Sequence, residues 1–120
     1  MIHEKYAAVI PAYNEERHIA GVLEELKRYF PAGNIVVIDD GSSDETAAVC
    51  AGAGVWVIRH NGNRGKGAAL RTGFAALVEK EGLRGIFTLD ADGQHDPSEI
   101  ASFVEHFERT GADIIIGDRM

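Results

Sequence analysis

Three aspartates follow an apolar run late in the chain, and their spacing indicates a cation site. The segment Thr88–Pro97 reads TLDADGQHDP and contains Asp90, Asp92 and Asp96. Two carboxylates about 5 Å apart at an effective dielectric constant of about 20 repel by roughly 3 kcal/mol, so a bound cation is the natural compensation. Asp90 and Asp92 are two apart on an extended chain and point the same way. Their hard oxygens favour Mg²⁺ or Mn²⁺.

The alternative for the same segment is a solvated turn that leads into a helix. Asp96 followed by Pro97 is typical of a helix start, with Asp as the cap and Pro at the first helical position. We therefore expect Asp96 to be a cap and nothing more, and Gln94 and His95 to supply or position a further ligand.

A second acidic pair, Asp39-Asp40, follows the apolar run IVVI. Carboxylates at a strand end accept hydrogen bonds from ribose hydroxyls or base N–H groups in dinucleotide-binding folds. The alternative is a turn with a helix cap, which Gly41 and Ser43 would serve alone. Two adjacent aspartates exceed what a cap needs, so we favour a binding function.

The glycine-rich stretch NGNRGKG is not a P-loop, although it resembles one. A P-loop lysine is followed by Ser or Thr and preceded five positions earlier by glycine, whereas Gly67 follows Lys66 and Asn61 holds the earlier position. Arg64, Lys66 and the helix that follows could steer an anion. Equally, the glycines could only let that helix start close to the sheet.

Alternating strands and helices must position these residues. The five strand-like runs are rich in Val and Ile without polar alternation, as strands covered on both faces are; they are Tyr6–Ala12, Asn34–Asp39, Val55–Ile58, Gly85–Asp90 and Asp113–Gly117. We predict one α/β domain over residues 1–120, with a Rossmann-like, doubly wound, mostly parallel sheet and helices on both faces. In such sheets ligands bind at the carboxyl ends of the strands, where the polar clusters lie.

The helices between these strands show apolar residues on one face. The first is predicted over Glu15–Phe30, and the second begins with Ser43 or Asp44 as its cap and stops at Gly52 and Gly54. The apolar faces of the first, third and fourth helices are Ile19, Leu23, Leu26 and Phe30; Leu70, Phe74 and Leu77; and Ile100, Phe103, Val104 and Phe107.

Composition narrows the function classes. The chain has 120 residues, 45% of them hydrophobic, and a net charge of -7, which argues against nucleic acid or an anionic membrane surface as the main partner. Cys50 is the single cysteine, so no internal disulfide forms. No signal-peptide pattern and no apolar run near 18 residues occurs. We expect a cytoplasmic, soluble chain.

The chain resembles family 2 glycosyltransferases in four segments, taken together and in this order: VIPAYNEE, IVVIDDGSSDET, NRGKGAALRTGF and LDADGQHDP. The resemblance covers nearly the whole chain and is nearest to the dolichyl-phosphate mannose synthase and polyprenyl-phosphate glycosyltransferase branch. It implies a GT-A fold and inverting transfer from a GDP- or UDP-sugar. It also implies a lipid phosphate as the acceptor and a location of the full-length enzyme at the cytoplasmic face of a membrane. A lipid phosphate is already anionic and needs no general base.

Site residues follow from the same resemblance. The implied nucleotide-sugar site comprises Pro11, Tyr13, Glu15, Asp39, Asp40, Lys66, Asp90, Ala91 and Asp92. Within it, Asp39 and Asp40 would hold base and ribose. Asp90 and Asp92 would be the catalytic DxD pair, and with Gln94 would bind Mg²⁺ or Mn²⁺, which neutralises the diphosphate leaving group.

Two departures from the family pattern lead to a further expectation. Asp118 precedes Arg119 where the family has a small residue, which leaves Arg119 without an assigned role. The family continues past the strand ending at Gly117 with an acceptor-binding half and a later antiparallel strand between the fourth and fifth strands. We therefore expect a donor-binding domain truncated after the fifth strand, whose bare edge pairs with a second copy; a clean monomer in size-exclusion chromatography with light scattering would contradict this.

Three other functions fit parts of the pattern. A non-catalytic nucleotide-sugar-binding module shares every motif and differs in lacking an acceptor site. An aspartate-based phosphotransferase clusters aspartates at strand ends. However, the haloacid dehalogenase motif follows the first strand and ends in Thr or Val, where Gln94 stands here, and a response regulator has its acidic pair after strand one, where this chain has Tyr13-Asn14. A sugar nucleotidyltransferase would need a glycine-rich loop after the first strand.

Overall fold

In the computed structural model, which describes residues 3–92, 98–110 and 116–118, five strands form one sheet. They are β1 (Tyr6–Ala12), β2 (Ile35–Asp39), β3 (Trp56–Arg59), β4 (Gly85–Thr88) and β5 (Ile116–Asp118). The strand order is β3-β2-β1-β4-β5, and all four pairings are parallel. Ala8 of β1 faces Ile35 on one side and Phe87 on the other. This confirms the predicted Rossmann-like parallel sheet.

Four α-helices connect the strands within the described part of the chain. They are α1 (Ile19–Leu26), α2 (Thr46–Gly52), α3 (Lys66–Leu77) and α4 (Ser98–Thr110), with a 3₁₀ turn at Ala32–Asn34. The predicted order of strands and helices is confirmed. The strand was predicted to reach Asp90, but β4 ends at Thr88, and one more bond to β1 follows it, from Leu89 N to Val9 O at 3.1 Å. Asp90 therefore lies just beyond the sheet.

Buried side chains form one apolar cluster on each face of the sheet. Ala8 and Ile10 of β1 face the cluster that contains apolar residues of α1, α2 and α4, among them Leu23, Cys50 and Val104. Ala7 and Val9 face the second cluster, which contains Ala69 and Leu77 of α3. Both faces of β1 are covered, which explains why its sequence does not alternate with polar residues. Phe103, Phe107, Asp96 and Pro97, which were assigned to the apolar face and start of α4, lie outside the described side chains.

The first helix is shorter than its apolar period suggested. The prediction was Glu15–Phe30, but α1 spans Ile19–Leu26. Asn14 has a positive φ of 52°, and the segment before Ile19 is used to contact the next loop instead of continuing the helix. Phe30 is still fully buried against Phe87, at a ring-centroid distance of 5.8 Å, although it belongs to a turn.

The start of α2 is close to the prediction. The helix begins at Thr46, and the cap position is held by Glu45 without a side-chain cap hydrogen bond, so the prediction of Ser43 or Asp44 as the cap was wrong by one or two positions. Asp44 Oδ1 nevertheless accepts a hydrogen bond from Thr46 N at 2.9 Å. The helix ends at Gly52, and Gly54 has a φ of 80°. The expected stop at these glycines is confirmed.

The far edge of the sheet bears on the predicted pairing with a second copy. Ile86 of β4 pairs directly with Ile116 of β5. Among residues 3–92, 98–110 and 116–118, no strand pairs with the other edge of β5. Pairing with a second copy stays a prediction. None of the helices in these residues is long and apolar enough to cross a membrane.

Candidate functional site

A cleft of about 180 Å³ opens at the carboxyl ends of β1, β2 and β4. It is lined by Pro11, Ala12, Tyr13, Asp40, Asn63, Gly65, Lys66, Ala69 and Asp90. Five of these residues, Pro11, Tyr13, Asp40, Lys66 and Asp90, were singled out in the sequence, and the fold brings them together from four separate segments. The cleft is therefore the place where the polar rim of the sheet can receive a ligand.

Asp39, the last residue of β2, is not among the residues that line this cleft. Its side chain is fully buried, and its Oδ1 accepts a hydrogen bond from Ser42 N at 3.1 Å. Oδ2 has no hydrogen-bond partner among the described residues, although Arg59 Nε lies 3.4 Å away as an ion pair without hydrogen-bond geometry. A buried oxygen without a hydrogen-bond partner is unfavourable, and in native proteins it calls for an explanation such as a ligand. Oδ2 of Asp39 is thus held by an ion pair with Arg59 and lacks a hydrogen-bond donor among the described residues.

Asp40, the adjacent residue, is fully used within the protein. Its two oxygens accept backbone N–H bonds from Arg64, at 3.0 and 3.1 Å, and from Gly65, at 2.7 Å. Oδ1 also lies 2.7 Å from His60 Nδ1. Burial alone would raise the pKa of Asp40, but the hydrogen bonds from His60, Arg64 and Gly65 outweigh it and hold this pKa below its usual value. Asp40 therefore shapes the glycine-rich loop from inside.

Glycine is required where this loop meets the end of β2. Gly41 has a φ of 81°, and a Cβ there would lie 2.6 Å from the carbonyl carbon of Gly62. The loops after β2 and β3 therefore touch through their backbones. A side chain at Gly41 would separate them and pull Asp40 away from its amide partners.

The loop after β1 is bound to the loop after β2 by side chains that the sequence reasoning did not single out. Ser42 Oγ accepts from Asn14 N at 2.8 Å, and Asn14 Oδ1 accepts from Ser43 N at 2.9 Å. Thr46 Oγ1 accepts from Glu15 N at 2.9 Å. Short polar side chains beside strand ends are the signal that could have found them, because they commonly bond to loop backbone. Together they fix Tyr13 at the rim of the cleft.

Tyr13 and Glu15 differ in their relation to the cleft. The ring of Tyr13 is about half exposed, at 48%, and lines the cleft. Glu15 is not among the lining residues, and its Oε1 lies 3.1 Å from His18 Nδ1. Tyr13 offers a flat apolar surface to a ligand, whereas Glu15 lies beside the cleft.

Lys66 is the residue of the glycine-rich stretch whose side chain reaches the acidic group after β4. It begins α3, and its Nζ lies 3.1 Å from Asp90 Oδ1. Gly65, just before it, has a φ of 97°, a conformation that glycine adopts without strain. Arg64 is exposed and contributes its backbone N–H to Asp40. Both interpretations of the glycine-rich stretch therefore stay open. Lys66 faces the cleft, where it could steer an anion, and the glycines shape the turn that starts α3.

The proposed metal ligands are described in part. Asp90 and Asp92 are partly buried on either side of the buried Ala91, and together they provide two hard carboxylate groups at the end of β4. Gln94 and His95 lie outside the described residues. Within the described ones, no group of three or more His, Cys, Asp or Glu side chains is placed to hold an ion. The carboxylate pair is of the right chemistry for Mg²⁺ or Mn²⁺ if water and ligand phosphates complete the shell.

Comparison with known proteins was made on sequence and on structure. The sequence model of the family described as glycosyl transferase family 2 matches residues 7–120. An uncharacterised protein of Methanocaldococcus jannaschii is 46% identical over 113 residues, which are 93% of this chain and 45% of that protein. The UDP-N-acetylglucosamine–dolichyl-phosphate N-acetylglucosaminyltransferase of Methanococcus voltae is 32% identical, covering 93% of this chain and 51% of its own length.

A third relative and two crystal structures extend the comparison. The polyprenol monophosphomannose synthase of Mycolicibacterium smegmatis is 31% identical over 97% of this chain and 45% of its own length. The glucosyl-3-phosphoglycerate synthase of Mycobacterium tuberculosis, solved with UDP, superposes with a TM-score of 0.51 and 28% identity over 61% of this chain and 30% of that one. A mycobacterial protein superposes with a TM-score of 0.68 over 87% of this chain and 37% of that one; at 24% identity it supports the fold alone. The chain spans about half the length of the curated relatives it matches.

Proposed function

Because the chain belongs to glycosyl transferase family 2, we propose that its cleft binds a nucleoside diphosphate sugar together with a divalent cation, for inverting transfer of the sugar to a polyprenyl phosphate. The observation that carries the proposal is the position of Lys66 and Asp90. An ammonium group and a carboxylate, 3.1 Å apart, face the cleft in which Tyr13 is exposed. A cation-dependent diphosphate site needs groups of both signs at one place.

The nucleoside end of the ligand is assigned to the β1–β2 side of the cleft. Oδ2 of Asp39, which is ion-paired with Arg59 but has no hydrogen-bond donor in the described chain, would accept a hydrogen bond from a base N–H once the end of β2 opens enough to admit it. Tyr13 and Pro11 provide the apolar surface that flanks the nucleoside. Asp40 takes part by shaping the loop, since its oxygens already accept three donors from the protein.

The diphosphate is assigned to the β4 side. Asp90 and Asp92, with Gln94, would hold Mg²⁺ or Mn²⁺, which supplies Lewis-acid stabilisation of the charge that develops on the diphosphate. Lys66 turns from Asp90 to a phosphate oxygen when the ligand binds, and the amides at the start of α3 face the same anion. These residues orient the diphosphate so that it departs with the electron pair of the bond it loses.

A phosphate acceptor makes the chemistry simple. Its oxygen forms the new bond to the anomeric carbon, the bond from that carbon to the diphosphate breaks, and no proton has to be moved. A polyprenyl phosphate is favoured as acceptor because two relatives that match nearly the whole chain are named for dolichyl or polyprenol substrates. An acceptor of this kind would bring the enzyme to the cytoplasmic face of a membrane.

Calorimetric titration tests the nucleotide site. UDP, GDP and their sugar conjugates are titrated into the protein with Mn²⁺ and then with EDTA. We expect one nucleotide to bind in Mn²⁺ and to lose at least tenfold in affinity in EDTA. Asp92→Asn should lose the Mn²⁺ dependence. Glu79→Gln is the matched control, since it removes one carboxylate in the exposed turn after α3, at the opposite end of that helix from Lys66.

The outcomes separate the components of the proposal. Equal affinity in Mn²⁺ and EDTA would contradict the metal site but not the nucleotide site. Absence of binding to the folded protein would contradict the nucleotide site in this chain. Binding without transfer to a short polyprenyl phosphate, tested with a labelled sugar nucleotide, would favour a non-catalytic nucleotide-sugar-binding module.

A further inference from the structure

His60 is buried beside the cleft, yet nothing in the proposed function uses it. It follows β3 directly, and 7% of its surface is exposed. Its backbone N–H donates to Asp39 O at 2.9 Å, which continues the pairing of β3 with β2. Both ring nitrogens also have partners, and the two partners belong to different elements. A buried imidazole bonded on both sides is fixed in orientation.

One partner of the ring is Asp40. The Nδ1 of His60 lies 2.7 Å from Asp40 Oδ1. An ionised carboxylate accepts hydrogen bonds only, so Nδ1 carries the proton and donates. The depressed pKa of Asp40 agrees with this assignment, since hydrogen bonds to the charged form are its cause.

The other partner is Thr72 of α3. Its Oγ1 lies 2.8 Å from His60 Nε2 and 3.0 Å from Ala68 O, one turn earlier in the same helix. The imidazole therefore bridges the end of β2 to the helix that begins at Lys66. These contacts form a chain from Thr72 through His60 to Asp40, and from Asp40 to the amides of Arg64 and Gly65.

We propose that His60 is a positioning residue of the nucleotide cleft, which holds Asp40 in place so that the loop before α3 keeps Lys66 opposite Asp90. This inference rests on the proposed nucleotide site for its effect on binding, but not for its effect on the loop. Without the Nδ1 donor, the carboxylate of Asp40 is free to turn, and the two loop amides lose a shared acceptor. Lys66, the next residue, then loses its fixed position.

Two substitutions of His60 separate its two hydrogen bonds. In His60→Asn the amide nitrogen can take the place of Nδ1 and donate to Asp40, while the contact with Thr72 is lost. In His60→Gln the amide reaches the place of Nε2, and the donor to Asp40 is lost. A purely structural role of the ring would penalise both variants, whereas a role through Asp40 is restored by Asn. His106→Gln on the exposed face of α4 is the matched control.

The first measurement is amide hydrogen exchange at Arg64 and Gly65, because it does not depend on any ligand. We expect protection at both amides to fall about tenfold in His60→Gln and to stay within about threefold of wild type in His60→Asn and His106→Gln. Unchanged protection in His60→Gln would overturn the inference. If His60→Gln is unfolded, Thr72→Val is compared with His60→Asn, because both variants lose the contact between residue 60 and Thr72 and keep a donor to Asp40. We expect both to keep protection within about threefold of wild type, and a tenfold fall at the two amides in both would overturn the role through Asp40.

The second measurement is the affinity for the nucleotide that binds wild type in Mn²⁺. We expect affinity to fall about tenfold in His60→Gln and to be largely restored in His60→Asn. Equal losses in the two variants would overturn the role through Asp40. If wild type binds no nucleotide, the proposed function fails, while the exchange measurement still decides whether His60 positions the loop.

Discussion

Lys66 Nζ lies 3.1 Å from Asp90 Oδ1 across the mouth of the cleft, and this pair joins the start of α3 to the end of β4. In the absence of a ligand the ammonium group neutralises a carboxylate that is proposed to bind metal. Lysine and a divalent cation then compete for Asp90 until a diphosphate draws the lysine away. Lys66 is therefore expected to weaken the binding of a cation at Asp90 and to strengthen the binding of the nucleotide.

Replacing Lys66 separates these two effects. In Lys66→Met we expect UDP or GDP affinity in Mn²⁺ to fall about tenfold, because a charge-assisted hydrogen bond to phosphate is lost. Affinity for Mn²⁺ without nucleotide should rise or stay equal, since the competing cation is removed. Calorimetry measures both, with Lys80→Met near the other end of α3 as control. Weaker Mn²⁺ binding in Lys66→Met would contradict this account.

Removing the charge of Asp40 should destabilise the fold. Asp40→Asn leaves His60 and two loop amides with a poorer acceptor, and breaking a buried charged network typically costs about 3 kcal/mol. Urea denaturation followed by circular dichroism measures the free energy of unfolding. Glu25→Gln on α1 is the control, because this carboxylate is partly exposed and, among the described residues, pairs only with Arg28, at 3.6 Å, as a surface ion pair. A loss equal to that of Glu25→Gln would show that the network contributes little.

The same carboxylate makes stability depend on pH in acid. The folded pKa of Asp40 is lower than its usual value of 3.8, so its contribution is present above that value and is lost as the pH falls through the folded pKa. We expect the free energy of unfolding to decrease below about pH 4, and to decrease less steeply in Asp40→Asn. Chemical denaturation at a series of pH values tests this. Parallel curves for the two proteins would assign the acid sensitivity to other groups.

Two glycines in helices give opposite predictions for the same substitution. A Cβ at Gly73 in α3 would lie 2.5 Å from Val9 Cγ1 of the central strand, so Gly73→Ala should destabilise by about 1–3 kcal/mol. A Cβ at Gly21 in α1 meets nothing within 4 Å, so Gly21→Ala should stabilise by about 0.5–1 kcal/mol. Urea denaturation measures both. If the clash with Val9 is the cause, Gly73→Ala should cost less free energy of unfolding when it is added to Val9→Ala than when it is added to wild type.

Cys50 should be unreactive in the folded protein. Its side chain is fully buried on α2, and burial, with the negative charge of Asp39, raises the pKa of this thiol to about 11. The thiol is therefore protonated at pH 8, and the thiolate is the reactive form. Reaction with a chromogenic disulfide should be slow until urea unfolds the protein. Rapid reaction without denaturant would place the thiol at the surface.

The sequence predicted what depends on local pattern, and the misses concern contacts between distant segments. The unalternating run Tyr6–Ala12 has the same bounds as β1, because burial on both faces of this strand gives an almost continuous apolar sequence. The start of α1 was wrong by four positions because the bond from Glu15 N to Thr46 joins two loops that are remote in sequence.

The same distinction applies within the site. Pro11, Tyr13, Lys66 and Asp90 were expected at the rim, and the structure places all four around one cleft. The role of Asp40 could not be predicted from its sequence neighbours, since its partners Arg64 and Gly65 lie 24 and 25 positions later, on the loop after β3. His60 gave one signal, its position between the end of a strand and the glycine-rich stretch, and that signal was insufficient without the fold.

The central position of β1 also has a consequence for how the chain is made. β1 leaves the ribosome before the other four strands of this sheet, and it can pair with β2 soon afterwards. Its other edge stays unpaired until β4 has been synthesised, because Ala8 pairs with Phe87, which lies far along the chain. Such non-local pairing slows folding and leaves an apolar strand edge open to association during synthesis. We therefore expect the strand order that creates the cleft to leave the nascent chain prone to association until β4 has emerged.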